Sequence, residues 1–490
     1  MTQRTPQHDT ATDLSNDPVR WRILVVLLIA IFMSLMSVSV VNVALASIQD
    51  ALDASQSDIQ WVLSGYALTF GVVLVSAGRA GDLMGRGGFF ILGVALFTLA
   101  SIAAGLAPDA QWLNAARFIQ GIGSGFLNPQ AVGMIQQYFR GPERGRAFGF
   151  FGTIVGVSVA IGPVIGGLLI QLGGLEIGWR LTFLINVPVG ILTIVLALLW
   201  FPRPLIHKPK LQEHKGLSSL DPIGALLLGL GVLAVLYPFV ESDPSGLMWL
   251  LLPAGLLLFY LWARWERWYT ERGYSPMVDL KIFATSSYLN GSIIMTLYFL
   301  GMTSIWVLIP LYVQQGLGFS AFEAGMVGIP SALLSAYSAH WAGKRVNHYG
   351  RKIVIGGLGF AIFGLLSSIA VVLLYEYMDL SIWWLLLTLG FFGIGQGSVI
   401  SPNQTLTLAE VPLAYAGSSG AIMQTGQRIG TSVGIAVITA IVFAVRPYSS
   451  WHIAVSMGLL TITLMIFLAL VMAFKDLRDR RAATHQSSQR

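Results

Sequence analysis

The sequence has no cysteine and little charge: only 11% of its 490 residues are Asp, Glu, Lys or Arg, against about 25% in an ordinary soluble protein. Without cysteine there is no disulfide framework, no thiolate metal site and no cysteine nucleophile. The seven histidines fall in tails, loops or the ends of apolar runs. No H-E-x-x-H occurs, and no nucleophile and base are brought together by spacing. The phosphate-loop pattern G-x-x-x-x-G-K-[ST] is also missing. These gaps exclude an enzyme, a resident metal and a cofactor. Hydrophobic residues make up 55% of the chain, and the mean hydropathy is +0.72. That composition belongs to a membrane protein.

About 20 apolar residues are needed to cross the roughly 30 Å of bilayer hydrocarbon. Runs of that kind lie near 23–48, 59–77, 89–107, 111–136, 146–172, 180–201, 220–240, 247–265, 286–313, 321–342, 352–373, 381–404, 416–444 and 451–474. The expected fold is therefore all-α and polytopic, with fourteen transmembrane helices. The first run is too long for a cleaved signal peptide and lacks a small-residue cleavage site. Of the 29 Lys and Arg, Arg180 and Arg446 fall in one set of loops and Arg117 and Arg428 inside spans. All the others fall in the opposite set of loops and both tails. By the positive-inside rule that side is cytoplasmic, which puts the protein in the cytoplasmic (inner) membrane with both termini inside. The net charge of +6 is then a signature of topology, and nucleic acid is not an expected partner.

The stretch GRAGDLMGRGG, residues 78–88, joins spans 2 and 3 and holds five glycines, two arginines and one aspartate. A weaker copy joins spans 10 and 11, where Gly343, Asn347, Gly350 and Arg351 repeat Gly78, Asp82, Gly85 and Arg86 at one constant offset. Gly121-Ile122-Gly123-Ser124-Gly125 recurs as Gly393-Ile394-Gly395-Gln396-Gly397. The chain reads as a duplication: an N-terminal tail (1–22), a six-helix half (23–201), a linker with an inserted two-helix hairpin (202–285), a second six-helix half (286–474) and a C-terminal tail (475–490). Two related halves are the arrangement of a transporter that rocks around a midplane site.

Five stretches carry a family resemblance: VVNVAL at 40–45, GRAGDLMGRGG, LNAARFIQGIGSG at 113–125, GVSVAIGPVIGGLL at 156–169 and GWRLTFLINVPVG at 178–190. Together they resemble the major facilitator superfamily, and within it the fourteen-helix drug:proton antiporter branch of EmrB/QacA type. The resemblance implies a secondary exporter of amphipathic, drug-like small molecules, driven by the proton gradient. The alternative on the same scaffold is a permease or exporter of one defined metabolite, such as an amino-acid-derived or polyamine-like compound. The implied partners are a small-molecule substrate and the lipid bilayer, and a monomer is plausible.

Residues expected at the substrate or proton-coupling site are Arg117, Gln120, Asn42, Ser37, Tyr66, Gln427 and Arg428. Arg117 lies about 10 Å into span 4 and Arg428 about 18 Å into span 13 by the helical rise, depths at which an ionisable group is costly. The repeat puts Leu389 opposite Arg117, so architecture alone does not demand the charge. Gly78, Asp82, Gly85 and Arg86 form the expected conformational switch, with Asp82 facing a helix N-terminus or the neighbouring arginines. Gly156, Gly162, Pro163, Gly166 and Gly167 form the antiporter-type helix, whose small residues admit a close neighbour and whose proline favours a bend. One position departs from the family pattern: many relatives carry a carboxylate five residues before the Asn of V-N-V-A-L, and Ser37 stands there. No other acid lies deep in a span.

Overall fold

The computed structural model describes residues 18–206, 221–241 and 245–488. Most of the N-terminal tail and most of the segment ahead of the hairpin lie outside the described residues. The helices are α1 (Val19–Leu52), α2 (Gln56–Met84), α3 (Arg86–Gly105), α4 (Ala110–Tyr138), α5 (Gly141–Leu184), α6 (Asn186–Trp200), α7 (Pro222–Val240), α8 (Leu251–Glu271), α9 (Ser286–Met302), α10 (Ile305–Leu311), α11 (Ala321–Met326), α12 (Ile329–Tyr349), α13 (Arg351–Met378), α14 (Leu385–Thr407), α15 (Ala416–Val445) and α16 (Trp451–Ser488). The long element α5 breaks at Gly174, where φ is 65°. The span expected at 286–313 is divided between α9 and α10, and α16 continues past the expected end of its span.

Twelve helical stretches among the described residues are long and apolar enough to cross a bilayer. The two expected spans that fall short are α4 and α12. Both carry polar groups inward: Arg117, Gln120, Ser124, Asn128, Gln130 and Gln136 of α4, and Ser331, Ser335 and Ser338 of α12, are all buried. Large apolar side chains instead cover the outside, including Leu172, Leu199, Leu256, Phe363 and Phe474, each more than half exposed. In water such a surface would drive aggregation. In a bilayer it is the lipid contact.

Contacts sort the helices into two groups. In one, α1 packs on α5 and α6, and α4 on α2 and α3; in the other, α12 and α13 pack on α14, and α9 on α15 and α16. Across the seam, α5 meets α12 and α14, while α15 meets α2 and α4. The α7–α8 hairpin lies against α2 and α15. Ion pairs mark one face: Arg20 at the start of α1 forks onto Glu143 at the start of α5 (2.8 Å for both bonds), and Arg351 at the start of α13 meets Asp476 on α16 at 2.5 Å. Asn347 near the end of α12 donates to the Gly141 carbonyl at 3.1 Å. The described ends of the chain, at α1 and α16, therefore share one charged face.

At that face the α5–α12 crossing is tight enough to exclude side chains. A Cβ on Gly343 would lie 2.5 Å from Gly149 Cα, and one on Gly145 would lie 2.6 Å from the Gly343 carbonyl oxygen. Gly343→Val is expected to lower thermal stability in detergent by about 1–3 kcal/mol through overpacking. Gly356→Val, at an exposed position with nothing within 4 Å, serves as the control and is expected to change little.

Candidate functional site

The GRAGDLMGRGG stretch is a helix–helix joint. Its hinge is Gly85 (φ 113°), and α3 begins at the next residue. Asp82, one turn earlier, does not face water. Its carboxylate accepts the Gly417 and Ser418 backbone N–H groups at 2.9 Å each, so it caps α15, which has no side-chain cap of its own. Arg86 donates to the same carboxylate through Nε (3.0 Å) and Nη2 (2.8 Å), and reaches Leu413 O and Gln137 Oε1 as well. The negative charge thus meets the positive end of a helix dipole and a guanidinium together. Gly78 permits the approach, because a Cβ there would lie 2.9 Å from the Gly417 carbonyl oxygen. Arg79 turns away from Asp82: it donates to Ser275 Oγ at 3.1 Å and lies 5.4 Å from the Tyr415 ring.

The repeated copy is built differently. Asn347 reaches only the Gly141 carbonyl, and Arg351 is directed to Asp476 and Asn403 rather than to a neighbour four residues back. Both partners of the Arg351–Asp476 pair are fully buried, and Arg480 adds a second cation at 2.8 Å.

Further along the seam, α4 presents a polar line at 117, 120, 124 and 128, one face of a helix. Arg117 is fully buried, with Nε donating to Val62 O at 2.7 Å and Nη1 to Gln120 Oε1 at 2.5 Å. Its guanidinium lies 4.4 Å from the Tyr66 ring centre, and Nη2 has no partner among the described residues. Gln120 passes the network to Ser101 Oγ (2.7 Å) and to Ser37 Oγ (3.5 Å). The Tyr66 hydroxyl, Ser34 and Ser124 form a triangle with separations of 2.6, 2.8 and 3.1 Å, and Asn128 is 3.5 Å from Ser34. Ser37 is buried and Asn42 exposed.

From α15, Arg428 lies 4.4 Å from the Phe70 ring centre. Phe70 stacks on Tyr66 at 6.2 Å with 24° between the ring planes. The two deep arginines thus flank one aromatic pair, in the order Arg117, Tyr66, Phe70, Arg428. Gln427 is half-buried beside Arg428 and makes no hydrogen bond among the described residues. Nearly every residue of α15 from Ala416 to Thr425 is buried, whereas Gly426 to Ile429 are accessible.

The expected antiporter-type helix divides its glycines between two neighbours. Gly156 packs against Ala332 and Ala336 of α12. Gly162 and Gly166 pack instead on Ser39 and Val40 of α1. Gly167 has open space around it, and Pro163 lies within α5. One continuous stripe of small residues is thus replaced by two faces, a consequence of the 100° turn per residue.

The sequence reasoning missed Ser34, Ser124 and Asn128, although their spacing from Ser37 and Arg117 on the same helices carried the signal. It also missed an acid pair at the base of the hairpin. Asp221 caps α7 through Gly224 N (2.9 Å) and accepts Trp265 Nε1 at 2.8 Å, while Glu266 accepts Trp262 Nε1 at 2.9 Å. Both residues are at most 1% exposed, and the two carboxyls interact directly.

Comparison with known proteins gives a consistent picture. The sequence profile of the Major Facilitator Superfamily matches residues 27–435. A probable actinorhodin transporter from Streptomyces coelicolor is 32% identical, over 86% of this chain and 72% of its own. The multidrug resistance protein Stp of Mycobacterium tuberculosis is 28% identical, over 85% of this chain and 74% of its own. Among solved structures, a proton:xylose symporter superposes with a TM-score of 0.65 at 16% identity, covering 94% of this chain and 96% of the other.

Two outcomes are expected. Asp82→Asn removes the charge from the α15 cap, worth about 1–2 kcal/mol, and so shifts the closed-to-open ratio of the charged face roughly tenfold. Asn347→Ala, which loses one exposed hydrogen bond, is expected to change it by less than about twofold. Accessibility of single cysteines placed along the seam of the cysteine-free chain reads both. For the acid pair, Glu266→Gln keeps an acceptor for the Trp262 indole and is expected to hold thermal stability within about 1 kcal/mol. Glu266→Ala is expected to lose about 2–3 kcal/mol, because it leaves the buried Trp262 indole without its acceptor and a void where the side chain packed.

Proposed function

Because the chain belongs to the Major Facilitator Superfamily, we propose that it is a fourteen-span secondary exporter of the drug:proton antiporter type. It moves amphipathic small molecules out across the cytoplasmic membrane, with both termini inside and the proton gradient as energy source. The two helix groups, 23–201 and 286–474, are its moving halves, and the α7–α8 hairpin is an insertion between them. The observation that carries this reading is the seam between the groups. It is sealed at the charged face by the Asp82 cap on α15 and by the close α5–α12 crossing. Beyond the seal, a polar and aromatic column is drawn from α2 and α4 on one side and α15 on the other. A site reached from one face at a time is the requirement of alternating access. The antibiotic and multidrug transporters among the relatives support export of such compounds.

Within this reading Arg117, Gln120, Tyr66, Gln427 and Arg428 contact substrate, with Ser37 and Asn42 on α1 facing the same path. Gly78, Asp82, Gly85 and Arg86 are the switch, and Gly156, Gly162, Pro163, Gly166 and Gly167 shape α5 to slide on its neighbours.

The test compares retention of a panel of dyes, drugs and metabolites in expressing and non-expressing cells, with and without a collapsed proton gradient. Lower retention of several amphipathic compounds, lost on collapse, is expected. Loss of a single compound would mark the one-metabolite permease instead. Arg117→Ala is expected to cut export more than tenfold at normal membrane levels, and Arg117→Lys to restore only part, since a point charge cannot reproduce the planar fork.

A further inference from the structure

Among the described residues the two deep arginines have no counter-charge. Arg117 spends its bonds on a carbonyl and an amide oxygen, and its Nη2 is fully buried without a partner. Arg428 makes no hydrogen bond or ion pair among the described residues; its contact is the face of Phe70. The helices that build the column offer no acid at this depth. Neither α4 nor α15 contains an Asp or Glu. The acids of α2 are committed at its ends, Asp58 to its own N-cap and Asp82 to α15. On α1 the family's usual acid position holds Ser37, and Asp50 lies near the far end of the helix. Two cations taken out of water without a counter-ion are expensive, and a positive aromatic column attracts whatever anion can reach it.

We propose that the missing counter-charge arrives with the cargo: the site takes amphipathic molecules bearing an acidic group, a carboxylate, sulfonate or ionised phenol, which Arg428 binds, while Arg117, buried on the far side of the Tyr66–Phe70 pair, adds its positive field. This rests on the transport reading above and narrows it to a substrate class. Accessibility supports the placement, because α15 opens at Gly426–Ile429, one turn beyond the sealed part of the seam. Arg428 is thereby reachable while Arg117 is held rigid by Val62 and Gln120. The ring pair between them spreads the charge through cation–π contacts and leaves the Arg428 guanidinium edge for the ligand. An inorganic anion shares this chemistry, so the experiment separates the two.

Purified full-length protein is reconstituted in liposomes, and three probes are compared for equilibrium binding and for transport under an imposed proton gradient. They are 8-anilinonaphthalene-1-sulfonate, its uncharged parent N-phenyl-1-naphthylamine, and the cation ethidium. The expected result is binding of the sulfonate at least tenfold tighter than of either other probe. Arg428→Gln should weaken sulfonate binding at least tenfold more than it weakens binding of the uncharged parent. Ser37→Asp, which sets a carboxylate beside the Gln120–Arg117 pair, should shift selectivity at least tenfold towards ethidium. Equal binding of the three probes by the wild type overturns the proposal, as does an equal effect of Arg428→Gln on all three. Displacement of every probe alike by chloride or phosphate overturns it too, since the column would then be an inorganic-ion site. The wild-type comparison decides even where a variant fails to fold. Transport of the uncharged parent and ethidium without the sulfonate sinks the acidic class and leaves the exporter standing. Tight sulfonate binding with no gradient-driven movement of any probe does the reverse.

Discussion

The side chain of Asp82 closes the first turn of a helix that begins more than three hundred residues later. That contact carries more than its own bonds. Gly78 and Gly417 touch only because neither has a Cβ, and the touching holds α2 and α15 at the distance at which Gln136 can reach the Ala416 carbonyl at 3.0 Å. With the α15 terminus fixed, Arg428 is set three turns further on against Phe70. The same helix therefore carries the Asp82 contact at one end and Arg428 near its middle, and moving one moves the other. Coupling of this kind needs no relay of small shifts, because α15 is itself the rigid element that both ends bias.

Charge is distributed along the membrane normal in an unusual way. Several helical acids are occupied towards the ends of the apolar segments: Asp58 and Glu323 in capping boxes, Glu143 with Arg20, Glu376 with His452, Asp476 with two arginines. The middle is left to cations, hydroxyls, amides and aromatic rings. A neutral serine at 37 keeps it so. The hairpin contributes its own solution to burying acids, a close pair that takes two indole donors.

Much of this was legible in the chain. Apolar runs of bilayer length located the helices, because hydrophobic thickness is a property of consecutive residues. The offset between GRAGDLMGRGG and its copy located both joints, and the kinds of partner open to Asp82, a helix N-terminus or a neighbouring arginine, could be stated without saying which helix supplies the N-terminus. The copy's arginine could not be read in the same way: Arg351 is spaced like Arg86, yet its partner Asp476 lies on the last helix. Nor could the Asp221–Glu266 pair, whose members sit at the two ends of a hairpin and look like ordinary cap and interface residues. Local patterns report the face a residue occupies and are silent on which distant face meets it. The α5 glycines make the same point from the other direction, since Gly156 and Gly162, grouped in one helix motif by the sequence, meet α12 and α1 respectively.

The polarity of α4 bears on how the protein is made. A helix leaving the ribosome meets the bilayer before its partners are all present, and a central arginine alone costs about 2.5–3.5 kcal/mol on insertion. To this α4 adds Gln120, Asn128 and Gln130. Its groove is already synthesised by then: Val62 supplies a carbonyl to Arg117, Ala77 one to Gln130, and Ser34 and Tyr66 await Ser124. The order of the chain places each of these acceptors ahead of the residue that needs it. Biogenesis of this segment is therefore cooperative, with α4 leaving the insertion channel into a waiting protein surface rather than into lipid, and an early defect in α1 or α2 is felt as a failure of α4 to enter the membrane.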